Sequence, residues 1–145
     1  MKFSTRSRYG MRAMLDIAIN GEDKLVLLKD IAERQAISKR YLEHMMTQLR
    51  NSGLVMAERG ASGGYRLARP ASEIRLDEIF EALEGKIAPV ECLNDPSVCE
   101  RSEDCVAREL WDEMRMAMCD VLESKTLEDL KMRWEEIQAS HGVPA

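Results

Sequence analysis

The sequence predicts a mainly α fold with a small β wing, a winged helix-turn-helix followed by a long C-terminal dimerisation helix. Three observations predict it. Two helical stretches are separated by the short turn "AIS" at residues 36–38. A glycine-rich hairpin, "ERGASGGYR", follows directly at residues 58–66. An apolar stripe at steps of three and four then runs through residues 106–123, too wide for one small domain to cover.

From Thr5 to Asn20, Tyr9, Ala13, Met14, Ile17 and Ala18 fall at helical spacing, and "NGEDK" breaks the run. Leu28, Ile31 and Ala32 open a short helix that ends near Gln35. Ser38 then caps a longer helix, because its hydroxyl can accept from an otherwise unpaired amide of the first turn. Ile37 and Leu42 have the spacing of a hydrophobic staple across that cap. Leu42, Met45, Met46 and Leu49 form the helix's stripe, and Gly53 is placed to close it. Two helices joined so tightly make a helix-turn-helix, whose second helix usually enters a groove of DNA.

Two β-like runs follow, Leu54 to Glu58 and Tyr65 to Arg69, around a tip of Gly60, Ala61, Ser62, Gly63 and Gly64. Glycine supplies the backbone angles a hairpin tip needs, and Pro70 stops the second strand. Ile74, Leu76, Ile79, Phe80 and Leu83 form another helix, ending at Gly85. In Val106 to Glu123 the stripe is Ala107, Leu110, Trp111, Met114, Ala117, Met118, Val121 and Leu122, expected to pack against a second copy of the chain, the alternative being a helix folded back on its own domain. The expected organisation is a winged-helix DNA-binding domain over 1–85, a cysteine-bearing loop over 86–105, a dimerisation helix region over 106–134 and a fraying polar tail over 135–145.

Charge is distributed unevenly. Residues 1–70 carry 13 Lys and Arg against 7 Asp and Glu, a balance of +6, while residues 71–145 carry 8 against 19, a balance of −11. A basic half joined to an acidic half points to a polyanion met by the first half alone. The chain has no run of apolar residues long enough to span a membrane and no apolar leader at its start, so a cytoplasmic protein with reduced thiols is expected. No nucleophile–base pair is in view, and the two histidines, His44 and His141, lie far apart, which argues against an enzyme.

Lys39 and Arg40 stand in the first turn of the second helix, where the helix dipole disfavours cations. A phosphate backbone is a force that would keep them there. Ser38, Tyr41, Glu43 and His44 share the same leading surface and could reach phosphates or base edges. Arg59, with Gly60 beside it, sits at the base of the glycine-rich tip, where a long cation can enter a narrow minor groove. The tip "RGASGGY" is neither a P-loop nor a GxGxxG opening a helix.

The stretch "ECLNDPSVCERSEDC" holds Cys92, Cys99 and Cys105 in a spacing of C-x6-C-x5-C. Three thiols in one loop suit a soft metal or an iron–sulfur cluster. Structural zinc sites usually bring at least one closer cysteine pair. A cluster is therefore the leading reading, with zinc and a metal-free thiol switch left open. Cys119, well inside the long helix, reads as a small buried hydrophobe.

The segments "STRSRYGMRAMLDIA", "DIAERQAISKRYLEHMMTQLRNSGLV", "RGASGGYRLARP" and "EALEGKIAPVEC", with two further cysteines and "LWDEMR", resemble the Rrf-two (Rrf2) family of bacterial regulators from about Lys2 to Leu130. That family includes iron–sulfur-sensing, nitric-oxide-sensing and cysteine-metabolism repressors. The resemblance implies a winged-helix homodimer, crossed at the long helix and binding a pseudo-palindromic operator in double-stranded DNA. It also implies that Cys92, Cys99 and Cys105 hold an iron–sulfur cluster, 2Fe-2S or 4Fe-4S. Some members resemble one another in placing a histidine three residues after the third cysteine, or an oxygen ligand on the first helix. Here those positions are Arg108 and Arg8, whose guanidinium groups cannot coordinate iron. Glu103, Asp104 and Glu109 remain as local oxygen donors, Asp104 doubling as a cap for the long helix. The same fold also admits a regulator of cysteine metabolism governed by thiol state or a protein partner, without a cluster.

Overall fold

Ser4 ends an extended approach with its hydroxyl accepting from the Ser7 amide at 3.1 Å, and α1 (Thr5–Asn20) starts there. The computed structural model describes residues 2–142. Helices α2 (Leu28–Gln35) and α3 (Lys39–Asn51) follow, then strands β1 (Val55–Glu58) and β2 (Gly64–Leu67). After these come α4 (Leu76–Glu84), α5 (Val106–Glu123) and α6 (Leu127–Ser140).

The core is built from the stripes read in the sequence. Met14 and Ile17 of α1, Leu42, Met45, Met46 and Leu49 of α3, and Ile79 of α4 are fully buried, as are Ile31 and Ile74. Each such side chain contributes about 2 kcal/mol of burial. Gly10 lets α1 and α4 cross closely, since a Cβ there would stand 2.2 Å from Leu83 Cδ1.

The α2–α3 turn is tight because α2 ends in a left-handed residue, Ala36, at φ 54 and ψ 46. Ile37 then bonds back to the Ala32 carbonyl at 3.0 Å and Ala36 to Glu33 at 3.3 Å, which satisfies the helix's last carbonyls. Ser38 caps α3 as expected, its hydroxyl accepting from Tyr41 N at 3.2 Å, and Ile37 and Leu42 of the staple are both buried. Gly53, at φ 75, closes α3, with Leu54 N bonded to the Leu49 carbonyl at 3.0 Å.

The strands pair antiparallel, Val55 opposite Leu67 and Glu58 opposite Gly64. A third piece joins them: Val26 exchanges both backbone bonds with Tyr65 at 2.8 Å. Gly64 permits that approach, because a Cβ there would lie 2.7 Å from the Val26 carbonyl oxygen. The wing is thereby stitched to the segment leading into α2.

The expected polar tail is corrected. Residues 135–140 continue α6, and 143–145 lie outside the described residues. Thr126 and Asp129 form a reciprocal capping box that starts a new helix after the break at Ser124–Lys125. Leu127 is fully buried, and its amide donates to the Ile74 carbonyl at 2.8 Å, so α6 folds back onto the winged-helix body. The long α5 is covered far less: Leu122 packs against the core, but none of the helix's residues is buried.

Candidate DNA-binding surface and cysteine loop

The turn that presents α3 is fixed by a polar network on α1. Asp16, with its side chain 1 % exposed, accepts from Arg34 Nε and Nη2 at 3.0 and 2.7 Å and from Gln35 Nε2 at 2.9 Å. The bonds from Asp16 hold the Arg34 guanidinium above its ordinary pKa. Arg12 donates to Gln35 Oε1 at 3.1 Å and stacks over the Tyr9 ring, which meets the Tyr41 ring edge to face at 6.1 Å. A buried carboxylate needs such a full set of donors. The network pins the end of α2 and the first turn of α3 to one helix.

On that frame Lys39, Arg40, Glu43 and His44 are exposed along α3, and Tyr41 is half-buried against Tyr9. Lys39 and Glu43 line an open groove of about 470 Å³ between α3 and the wing, together with Arg59 and Gly60. Lys29 and Arg50 line the same groove, two cations that sequence reasoning missed. His44 and Tyr41 face a separate groove beside the start of α1. Ser38 is occupied as the helix cap.

The cysteine loop folds on itself. Asp95 accepts from the Ser97 amide and hydroxyl at 3.0 and 2.6 Å, which draws its carboxyl below the usual range. The buried Ser102 hydroxyl bonds the carbonyls of Pro96 and Cys99 at 2.8 and 2.9 Å. Arg108, in the first turn of α5, donates through Nε and Nη2 to the Cys92 carbonyl at 3.3 and 3.2 Å. This bond ties the first cysteine to the helix that Cys105 opens as its N-cap. Asp104 does not cap α5: the cap position is Cys105, and no side chain bonds the first-turn amides. All four cysteines are free; Cys99 is exposed, while Cys92, Cys105 and Cys119 are half-buried. Burial pushes the Cys119 thiol up.

The three loop thiols fit a thiolate-bound iron–sulfur group in kind, being soft, free and close in sequence. The loop does not gather them as it stands: among the described residues no three His, Cys, Asp or Glu side chains form a metal-holding group.

Along α5, Val106, Leu110, Met114 and Val121 are 78, 52, 40 and 56 % exposed. Beside them Phe3, Phe80, Ile87, Met118 and Val121 line an apolar groove of about 440 Å³. Phe3 and Phe80 meet edge to face at 5.3 Å.

Residues 3–133 match the family model described as Rrf2, iron-dependent transcriptional regulator. The chain belongs to the Rrf2 family of transcriptional regulators. Among its Rrf2-family relatives is Protein rrf2 of Nitratidesulfovibrio vulgaris, 45 % identical over 130 residues that cover 90 % of this chain and 87 % of that one. The regulator CymR of Bacillus subtilis is 43 % identical, covering 90 % of this chain and 89 % of its own. The solved structure of T. potens IscR superposes with a TM-score of 0.79 at 37 % identity, covering 95 % of this chain and 91 % of that one. The winged-helix fold and a regulatory rather than enzymatic role are thereby shown. No helix among the described residues is long and apolar enough to cross a membrane.

Proposed function

We propose that this Rrf2-family regulator acts in the cytoplasm as a homodimer paired through α5, binding a pseudo-palindromic operator, with its affinity set by an iron–sulfur cluster on Cys92, Cys99 and Cys105. The observation that carries the reading is the bond from Arg108 to the Cys92 carbonyl. It attaches a loop of three free thiols to the first turn of a helix none of whose residues is buried. Any state of the loop that favours one spacing of the two wings changes operator affinity by that differential energy. When bound, the cluster supplies iron whose occupancy and oxidation state report metal supply, redox state or nitric oxide. The chain's own residues hold it by thiolate, and Lys39, Glu43 and Arg59 face the DNA.

A second reading is a cluster-free regulator of cysteine metabolism that responds to thiol state. The exposed Cys99 supports it, and so does the likeness to CymR, described as the global cysteine regulator of B. subtilis. Anaerobic purification separates the two. Brown protein that bleaches in Cys92→Ala, Cys99→Ala and Cys105→Ala but not in Cys119→Ala supports the cluster. Colourless protein whose operator affinity changes on reversible thiol oxidation establishes the second reading instead.

A further inference from the structure

The seven ion pairs among the described residues involve Arg34, Arg66, Arg69, Arg75, Arg115, Lys131 and Arg133. None takes a cation from the surroundings of α3. There Arg6, Lys29, Lys39, Arg40, Arg50 and Arg59 are all exposed and paired with no carboxylate. Glu84, the acid near Arg6, is taken up by the hydroxyls of Ser4 and Ser7. Six unmatched cations around one helix have a missing anion in common.

Their placement sorts them. The wing-side groove carries Lys29, Lys39, Arg50 and Arg59 against Glu43 and Glu58. On the other flank of α3 a groove of about 600 Å³ carries Arg6 and His44, with hydroxyls from Thr5, Tyr41 and Thr47 and no acid in its lining. Arg40 belongs to neither. At about 100° of turn per residue, it lies opposite the buried stripe of Leu42, Met45, Met46 and Leu49, on the crest of the helix.

An α-helix with its side chains is about 10–12 Å across, and the major groove of B-DNA is about 12 Å wide. A helix that fills the groove therefore meets one phosphate backbone along each flank and the base edges along its crest. We propose that α3 is flanked by two phosphate-binding grooves, with Arg6 gripping one backbone and Lys29, Lys39, Arg50 and Arg59 the other, while Arg40 reads base edges between them. The assignment rests on the DNA-binding reading above and adds to it a division of labour, with Arg6, Lys29 and Arg50 as new contacts.

The test uses a duplex selected by the wild-type protein from a random-sequence library, and a scrambled duplex of the same length. Arg6→Ala, Lys29→Ala and Arg50→Ala should each weaken both duplexes alike, several-fold, and reduce the salt slope by about 0.9 per contact, hence about two per symmetric dimer. Arg6→Lys should keep the slope. Arg40→Ala should lose roughly 5- to 150-fold per half-site on the selected duplex alone, as expected for a bidentate base contact in each. Unchanged slopes in Arg6→Ala and Arg50→Ala, or equal loss on both duplexes in Arg40→Ala, overturn the assignment. A wild type that retains no duplex overturns the DNA-binding reading itself, a result distinct from an altered slope.

Discussion

Arg108 illustrates how a residue changes meaning between sequence and structure. In the sequence it is a cation where an iron ligand could stand. In the structure its guanidinium is a fork that grips a backbone carbonyl sixteen residues earlier. Carbonyl acceptors leave no trace in a sequence pattern, so this bond could not be read beforehand. Charge-assisted bonds of this kind contribute about 1.5–3 kcal/mol at best, and their length here puts them at the lower end. Arg108→Ala should therefore raise amide exchange at Glu91–Leu93 roughly tenfold and leave α3 unchanged. If exchange at Glu91–Leu93 stays as slow as in the wild type, the loop is held by something else. Glu84 gives a second test at this scale. Burial alone would raise its carboxyl, but the Ser4 and Ser7 hydroxyls more than offset this and hold it below the usual range. A depressed carboxylate stabilises the fold above the ordinary Glu value of about 4.3, and that contribution is lost as pH falls through the folded value. Glu84→Gln should flatten the acid limb of the stability–pH curve below about pH 4.5 and leave the neutral region parallel to the wild type.

The helices, caps and turns declared themselves where a local signal exists. Ser38, the Ile37–Leu42 staple and Gly53 mark both ends of α3, and each has the geometry its spacing implied. The wing's two strands were legible from the glycine-rich tip. Val26 was not, because a single-residue bridge to Tyr65 has no periodicity to detect. The start of α6 had a signal that was passed over, the Thr126–Asp129 capping box, and with it went the docking of Leu127. The unpaired cations beyond α3 could not be found in sequence, since Arg6 and Lys29 reach that surface only through the packing of α1 and α2. Ala36 carries the element-scale prediction. An alanine held at φ 54 costs about 1 kcal/mol, against a similar chain-entropy cost for glycine. In urea unfolding, Ala36→Gly should therefore match the wild-type stability or exceed it by up to about 0.5 kcal/mol. Ala36→Val should lose about 1–2 kcal/mol and loosen the presentation of α3, because a branched Cβ crowds the left-handed conformation further. Equal stability of the two variants would show that the turn relaxes out of that conformation.

The molecule as a whole divides its hydrophobic surface unequally. The winged-helix body buries its stripes almost completely, whereas the eighteen-residue α5 buries no residue. On the proposed pairing through α5, a helix patterned this way and left without a buried residue in one chain would be half of an interface. Burying Val106, Leu110, Met114 and Val121 against a second copy would contribute about 1.5–3 kcal/mol for each fully covered side chain. In a two-fold arrangement every substitution acts twice. Leu110→Glu together with Val121→Glu would place four carboxylates in that interface per dimer, with no cation of α5 except Arg108 and Arg115 on the helix to meet them. Arg108 is already committed to Cys92 and Arg115 to Asp112. The double variant should sediment as a folded monomer with an intact helical spectrum, since the winged-helix core contains neither residue. Its affinity for a pseudo-palindromic duplex should fall toward that of a single half-site, because the second wing is no longer delivered by the first. A double variant that still sediments as a dimer with wild-type operator affinity would place the interface elsewhere, and the exposed stripe of α5 would then need another partner.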